Sequence, residues 1–586
     1  MVAVAYTEKF QECWQAIQKE IAETIDYNEQ NLGSQLTEPD VNEIIKTIFR
    51  RKMRELGPSE RIKNLYKIKD KLTQKFVPFQ PNRRQEEFEE QKTNRNCILK
   101  VRQVGFSTYA CVYALDRALF DDWNTGIMAH KQKPMVKIFD IIKNAYDFFV
   151  KDWGEFFQPT VNLNNSNEIS WDDTKASITV ALDFQSRTVQ FLHVSEAHFI
   201  STERITNSLQ AVPDTGEITL ETTPNGRGGF FFKRWDEWKR LGAGAPYKGY
   251  FVPWFLHYPE DPEAFEPPKG VVWTPEEEDL KRQYDLQDFH LWWRRRTLAE
   301  KCDNDEDIFE VQYPADDESC FLAGSYNVFK KATLAYQNRF VLDPREVGEL
   351  TLDGKFVKFY PRKKGGWKIY DYPKAGRSYS IGVDCSSGTG HDPGVIVVID
   401  NGSGEQAAKF SGFLEAEAMS DEIYKGGQYY NRAHACVEVN SMGTAVILAL
   451  KPKYFNLYRR QTWDDTTKKV QTKIGFYTSH STKSTIINNL STQLKEGGIK
   501  VKDQETFNEL TTFIHVVRKT TDGRMQVTDQ KEAAVGCFDD HVMALALAQE
   551  MRRAHPTEFG FEPTQPGKSL NSDSEEYADS DDNYHL

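Results

Sequence analysis

Cys97-Ile98-Leu99-Lys100-Val101-Arg102-Gln103-Val104-Gly105-Phe106-Ser107-Thr108 decides the fold: a buried-strand run, a glycine turn, then a segment with Cys111, Ala114, Leu115, Ala118 and Leu119 at helical spacing. A helix that opens on such a turn presents unpaired N–H groups and partial positive charge. A triphosphate is stabilised there, and Ser107 or Thr108 can ligate Mg²⁺. The standard pattern, G-x-x-x-x-G-K-[ST], would place glycine at 100 and lysine at 106, where this chain has Lys100 and Phe106. The cation has moved upstream, so either Lys100 or Arg102 must reach the phosphates, with Gln103 and Gly105 shaping the turn.

Three segments around the loop extend the reading. Phe191 to Glu196 is an apolar strand ending in an acid, placed to polarise an attacking water, with Ser195 where aspartate usually helps hold Mg²⁺. Ile218-Thr219-Leu220 runs into Thr222-Thr223-Pro224-Asn225-Gly226, a hydroxyl-rich turn at the position of a γ-phosphate sensor. Upstream, Gln85 carries an amide able to pair with a donor and an acceptor on adenine. Each alone reads equally well as a turn or cap; their order predicts an ATPase domain of parallel strands flanked by helices, over 76–345.

A second α/β texture follows. Tyr379–Val383 ends at Asp384, Ala435–Val437 at Glu438, and Asp539 and Asp540 open a helix bearing Met543, Ala544 and Leu547. Three elements each deliver a carboxylate at an end. Carboxylates gathered this way repel one another unless a hard cation neutralises them, so the set predicts Mg²⁺ or Mn²⁺ and phosphodiester cleavage. Asp540 is the preferred ligand of its pair because it shares the buried face, while Asp539 either caps the helix or joins the metal site. Asp392 reads as a turn residue.

The rest of the chain bounds these readings. Its 586 residues exceed one core. Residues 1–75 read as amphipathic helices with Phe10, Trp14, Ile17 and Ile21 on one face. A helical lid is expected at about 250–330, a linker at 346–376, the second domain at 377–555, and a flexible acidic tail at 556–586. Lys+Arg 74 against Asp+Glu 87 gives −13, and removing Ser569–Leu586 leaves −7, so the balance excludes a passive nucleic-acid coat while permitting a local basic channel. Eight cysteines with no Cys-x-x-Cys spacing exclude a compact zinc or disulfide framework. No apolar run reaches the ~18 residues of a span, and MVAVAYTEKF lacks a signal pattern.

With these motifs placed, the chain resembles the large terminase subunit of tailed double-stranded-DNA phages. The resemblance covers about Phe79 to Ala548 and rests on the order of Asn82 to Gln85, KVRQVGFST, LHVSEAHF, TTPNG, FEVQYPADDESCFLAG (Phe309 to Gly324), GVDCSSG, VEVNSMG, IGFYTSHSTKS (Ile474 to Ser484) and FDDHVMALALA. It implies an N-terminal P-loop ATPase that pumps DNA into a procapsid and a C-terminal RNase H-like nuclease that cuts the concatemer. By position, Gln85 looks like the adenine contact, Arg102 and Ser107 like phosphate-loop residues, Glu196 like the catalytic acid and Thr223 like the coupling residue. Asp384, Glu438 and Asp540 look like the metal triad, with Asp539 beside it. ATP with Mg²⁺ is the implied cofactor, with Mn²⁺ an option at the nuclease. The implied partners are double-stranded DNA, the portal, a small terminase subunit and further copies in a pentamer-like ring. The implied place is the host cytoplasm, docked transiently on the procapsid and absent from the mature virion. A trans-acting arginine would be Arg187, Arg204 or Arg227. The alternative is a nucleic-acid translocase or helicase whose RNase H-like module does not cleave.

Overall fold

The computed structural model describes residues 6–32, 36–71, 73–322, 324, 326–385, 393–440, 442–464, 468–519 and 525–555. Asp392 and the acidic tail from 556 lie outside them. Two sheets organise the chain. The first has eight strands in the order Lys248–Val252, Arg95–Lys100, Glu217–Thr222, Phe191–Ser195, Thr125–Met128, Ser177–Ala181, Glu168–Trp171, Val161–Asn164. The first six run parallel and the last two antiparallel. The strand leading to Thr223 therefore lies between the glycine-loop strand and the strand leading to Glu196, bringing all three motifs to one sheet edge.

Helix Phe106–Phe120 packs across this sheet with nearly every side chain buried. The sheet covers one side of it and the N-terminal helices Glu8–Leu32, Glu38–Leu56 and Pro58–Leu65 contribute to the other. Phe10, Trp14 and Ile17 join the core of the first sheet, Trp14 lying edge-on to Phe156 at 4.7 Å and to Trp153 at 5.5 Å. A buried ion network fastens the two parts. Fully buried Arg61 donates to Asp116 at 2.7 Å and Asp121 at 2.9 Å, while the Tyr66 hydroxyl donates to Asp116 at 3.0 Å.

The second sheet has seven strands in the order Phe356–Pro361, Glu346–Asp353, Trp367–Ile369, Gln406–Gly412, Gly394–Asp400, Tyr379–Asp384, His434–Val437. Every pairing is antiparallel except the last. This is an RNase H-like sheet extended by three strands. Those strands occupy 346–369, so the expected linker is part of the sheet, and Arg362 to Gly366 is a turn joining two of them. The domain change also comes earlier than 345: Leu322, Phe329 and Leu334 are buried in the second core, because the chain pairs at Asn327 with Ile514 before reaching the sheet.

Removing Arg61 leaves Asp116 buried beside apolar side chains without its counter-ion. Arg61→Ala is expected to destabilise the N-terminal half by ~3–5 kcal/mol, read as a lowered denaturation midpoint. The double change Arg61→Met, Asp116→Leu should cost clearly less, because it removes both charges.

Candidate functional site

Gly105 caps helix Phe106–Phe120 with φ 86° and ψ 9°, a left-handed turn that a side chain would strain. A Cβ there would also stand 3.0 Å from the Gln85 amide nitrogen. Gln85 is buried, and its Oε1 accepts from the Asn82 N–H at 2.9 Å in a capping box. The amide carbonyl thus serves the helix cap while the nitrogen faces the loop. An open cleft of about 650 Å³ runs beside them, lined by Asn82, Gln85, Gln103, Gly105, Thr108 and His257.

Phe106, at the position of the standard lysine, is turned inward, edge-on to Phe88 at 5.6 Å and to Tyr250 at 6.0 Å. The two candidate cations are placed differently. Lys100 is 5% exposed, its ammonium 3.0 Å from Glu221 and 3.4 Å from Glu196. Burial would lower its pKa, but Glu221 and Glu196 raise it further, so it stays charged. Arg102 is exposed on the loop; its N–H donates to the Gln312 carbonyl at 2.9 Å and its guanidinium to the Gln312 side chain at 3.1 Å, tying the loop to helix Glu306–Gln312. Glu196 sits just past its strand with φ 55°, a left-handed conformation unusual for a carboxylate side chain and of the kind that holds functional residues.

Glu221 and His193 belong to this site although the sequence reading passed over them. Glu221 is fully buried and accepts from the Ser107 hydroxyl at 3.1 Å through each oxygen. The His193 Nε2 is 2.7 Å from its other side. Burial pushes the Glu221 carboxyl up, but Lys100 and His193 together pull it down to about 2. The available signal was the imidazole of His193 inside an otherwise apolar strand run, a residue type that burial tolerates only when paired; Glu221, in a strand of mixed polarity, left none. Thr223 follows directly on Thr222, whose hydroxyl donates to the Thr223 carbonyl at 2.9 Å. The turn then meets the other domain: the Arg227 N–H donates to Thr511 at 2.7 Å and its guanidinium to Asn338 at 3.1 Å, stacked 5.3 Å over Phe507. Arg187 and Arg204 also bond within the chain, to Glu168 at 2.8 Å and to the Leu182 carbonyl at 2.6 Å.

On the second sheet, one glycine brings the acids together. A Cβ on Gly382 would meet the Ala544 carbonyl at 1.9 Å and the Ala548 nitrogen at 2.2 Å, so helix Asp540–Ala554 rests directly on the strand. Asp384 lies on the face of Gly382, two residues along, and Asp540 lies one turn before Ala544. Parallel pairing aligns Val383 with Val437, which puts Glu438 beside Asp384. Asp384 and Glu438 share a side-chain hydrogen bond, and burial, then the charges of Glu438, Asp540 and Asp539, push the Asp384 carboxyl well above the usual range. Asp539 makes no side-chain cap; its carboxylate accepts from Lys483 at 2.9 Å, a lysine in the quoted Ile474 to Ser484 motif that sequence analysis gave no role. Four hard oxygen donors crowded beside one lysine suit a divalent hard cation. Among the described residues, the group of three whose ligand atoms all lie within 4.8 Å of one another is a different one, Asp503, Glu505 and His541. There the Lys409 ammonium bonds to Glu505 and lies 3.7 Å from Asp503, so an internal cation already serves those acids.

Fold and sites together define a P-loop-type sheet joined to an RNase H-like sheet, each with an acidic site at a strand edge. No family model matches the chain. Among solved structures it is similar to the large terminase of bacteriophage HK97, at 9% identity over 84% of this chain and 98% of that one, with TM-score 0.41. It is also similar to the large terminase nuclease of thermophilic phage G20c (20% identity, 37% of this chain, 97% of that one, TM-score 0.26). A third likeness is to the large terminase ATPase domain of Thermus phage P74-26 (17% identity, 41% of this chain, 94% of that one, TM-score 0.29). No helix of the described residues is long and apolar enough to cross a membrane.

His198, two residues past Glu196, is buried against the Thr222 to Asn225 turn, its N–H donating to the Thr222 hydroxyl at 3.4 Å. Burial pulls its imidazole down to about 4, the Asn225 backbone acting weakly the other way. The folded chain therefore keeps it neutral, and stability held above pH ~6.5 is lost as pH falls towards 4. From pH 7 to pH 5 this residue is expected to cost about 2 kcal/mol. Denaturation of wild type and His198→Gln at both pH values checks it: the variant should lose less stability on acidification, and equal losses would refute the assignment.

Proposed function

We propose that the chain is an ATP-driven motor subunit that translocates double-stranded DNA into a viral procapsid and cleaves the concatemer by two-metal phosphodiester hydrolysis. The observation that carries this reading is the presence in one chain of a phosphate-type loop backed by buried charge and a separate carboxylate cluster on an RNase H-like sheet. The motif order that resembles large terminase subunits supports it.

In the first site the cleft beside Gln85 takes the nucleotide base, and the N–H groups opening helix Phe106–Phe120, with Arg102, take the phosphates. Glu196, at the strand edge, orients and deprotonates the attacking water. Thr223 senses the γ-phosphate, and the turn that follows it passes any shift to Arg227 and the second domain. In the second site Asp384, Glu438 and Asp540 would hold Mg²⁺ or Mn²⁺, with Asp539 steered by Lys483. Bound there, such ions supply Lewis-acid stabilisation and an activated water. Translocation without sequence preference rests on phosphate contacts, so DNA binding weakens steeply with salt. On this reading the partners are the portal, a small terminase subunit and further copies in a ring, met in the cytoplasm of an infected host.

Glu196→Ala is expected to lower ATP turnover by ~10²–10⁴-fold while nucleotide binding stays intact. Asp384→Ala should abolish Mn²⁺-dependent plasmid nicking and leave ATP turnover near wild type. Parallel loss of both activities in either variant would contradict the division into two sites. Retained function in Asp384→Ala would favour the translocase whose second module does not cleave.

A further inference from the structure

The site that Ser195 leaves without its usual acid has a carboxylate at the same height, one strand over. In the parallel register Ser195 pairs with Glu221, so the two side chains stand level on neighbouring strands. Glu221 lies 3.1 Å from the Ser107 hydroxyl through both of its oxygens, while Ser195 reaches that hydroxyl only at 3.5 Å. Ser107 is the loop hydroxyl placed to meet the cation of bound MgATP. We propose that Glu221 is the positioning residue for that cation, doing through Ser107 what an aspartate at 195 would do from the adjacent strand. The inference rests on the ATPase reading of this site and extends it to a residue outside the loop and the acid-ended strand.

Three features of the surroundings support it. Glu221 is fully buried between the loop strand and the Glu196 strand, so its direction is fixed by the sheet and not by solvent. The His193 Nε2 at 2.7 Å and the Lys100 ammonium at 3.0 Å hold one oxygen each, which locks the carboxylate plane against Ser107. His193 precedes Ser195 by two residues and so points to the same face of its strand. A carboxylate that only neutralised Lys100 would need neither the histidine nor both oxygens on the serine. An outer carboxylate bonded to a metal-binding hydroxyl fixes the hydroxyl's lone pairs towards the ion, and losing such a partner weakens metal affinity ~10–100-fold.

The test uses the full-length chain and a fluorescent ATP analogue, titrated in Mg²⁺ and in EDTA. The readout is the ratio of the two dissociation constants, which requires no turnover. Glu221→Gln, nearly isosteric, is expected to shrink the Mg²⁺ preference by about 10-fold or more. Adding Ser195→Asp to that variant should restore it, because the acid returns on the neighbouring strand. An unchanged ratio in Glu221→Gln overturns the proposal. So does a lowered ratio that Ser195→Asp fails to recover, since Glu221 would then act only as the counter-ion of Lys100. If Glu221→Gln does not fold, Glu221→Asp alone carries the test: it keeps the charge opposite Lys100 and draws the carboxylate back from Ser107, so a reduced Mg²⁺ preference is expected and an unchanged ratio again overturns the proposal. A wild-type chain that binds no nucleotide in either condition would overturn the ATPase reading and this proposal together, whereas wild-type binding with an indifferent Glu221 overturns this proposal alone.

Discussion

A carboxylate taken out of water must find a positive partner or give up its charge, and the two sheets meet this constraint in opposite ways. In the first, Glu221 keeps its charge at complete burial because Lys100 and His193 come with it; its carboxyl is pulled down to about 2. In the second, Asp384 has Glu438, Asp540 and Asp539 as neighbours, and its carboxyl is pushed well above the usual range. One site is balanced from within. The other gives up charge at Asp384, which shares a hydrogen bond with Glu438, while Lys483 pairs with Asp539. The Asp503, Glu505 and His541 group shows the same logic from the other side: three ligand types lie close together, yet the buried Lys409 already neutralises them.

This difference decides what each site can do. A site with its own lysine and a hydroxyl-bearing turn is prepared for a polyanion that brings its own cation. On the proposed function, a site with surplus acid suits a hard cation. The turn 223–228 lies between them. It leaves the first site at Thr223 and reaches helix Gln504–Thr512 through Arg227. That helix also carries Glu509, whose carboxylate accepts from the His541 N–H at 2.8 Å, the residue next to Asp540. Two hydrogen bonds, Arg227 to Thr511 and His541 to Glu509, therefore join the turn after the proposed γ-phosphate sensor to the neighbour of a proposed metal ligand, through one packed helix.

How much of this was legible in the sequence follows from what kind of signal each part leaves. Strand–glycine–helix and strand-end acids are local patterns, so Ser107, Glu196, Asp384, Glu438 and Asp540 could be named from spacing alone. Glu221 could not, because its importance comes from a strand register that pairs it with Ser195, and register is a property of two segments at once. Lys483 was within a quoted motif, but its contact with Asp539 joins residues 56 positions apart. The stretch 346–376 read as a linker because the basic, glycine-containing turn at 362–366 dominates it. The two strands before that turn expose much of their surface, the outer one as an edge strand does, and leave only a weak alternating pattern.

Phe106 is the substitution that ties these observations together. At the first turn of the helix Phe106 finds Phe88 and Tyr250 and turns inward, a place among rings that a lysine's charge would not take. The inward ring leaves the loop without its usual cation, while Lys100 stands at the end of the preceding strand, already inside the sheet. A lysine inside a sheet needs a buried acid, and Glu221 on the adjacent strand provides it. An acid there, level with residue 195, makes a second acid at that position a source of like-charge repulsion a few ångströms away. Serine at 195 is the residue that avoids this repulsion while still reaching the Ser107 hydroxyl. The two departures from the standard loop pattern, at 106 and at 195, are therefore a single rearrangement of charge within the sheet.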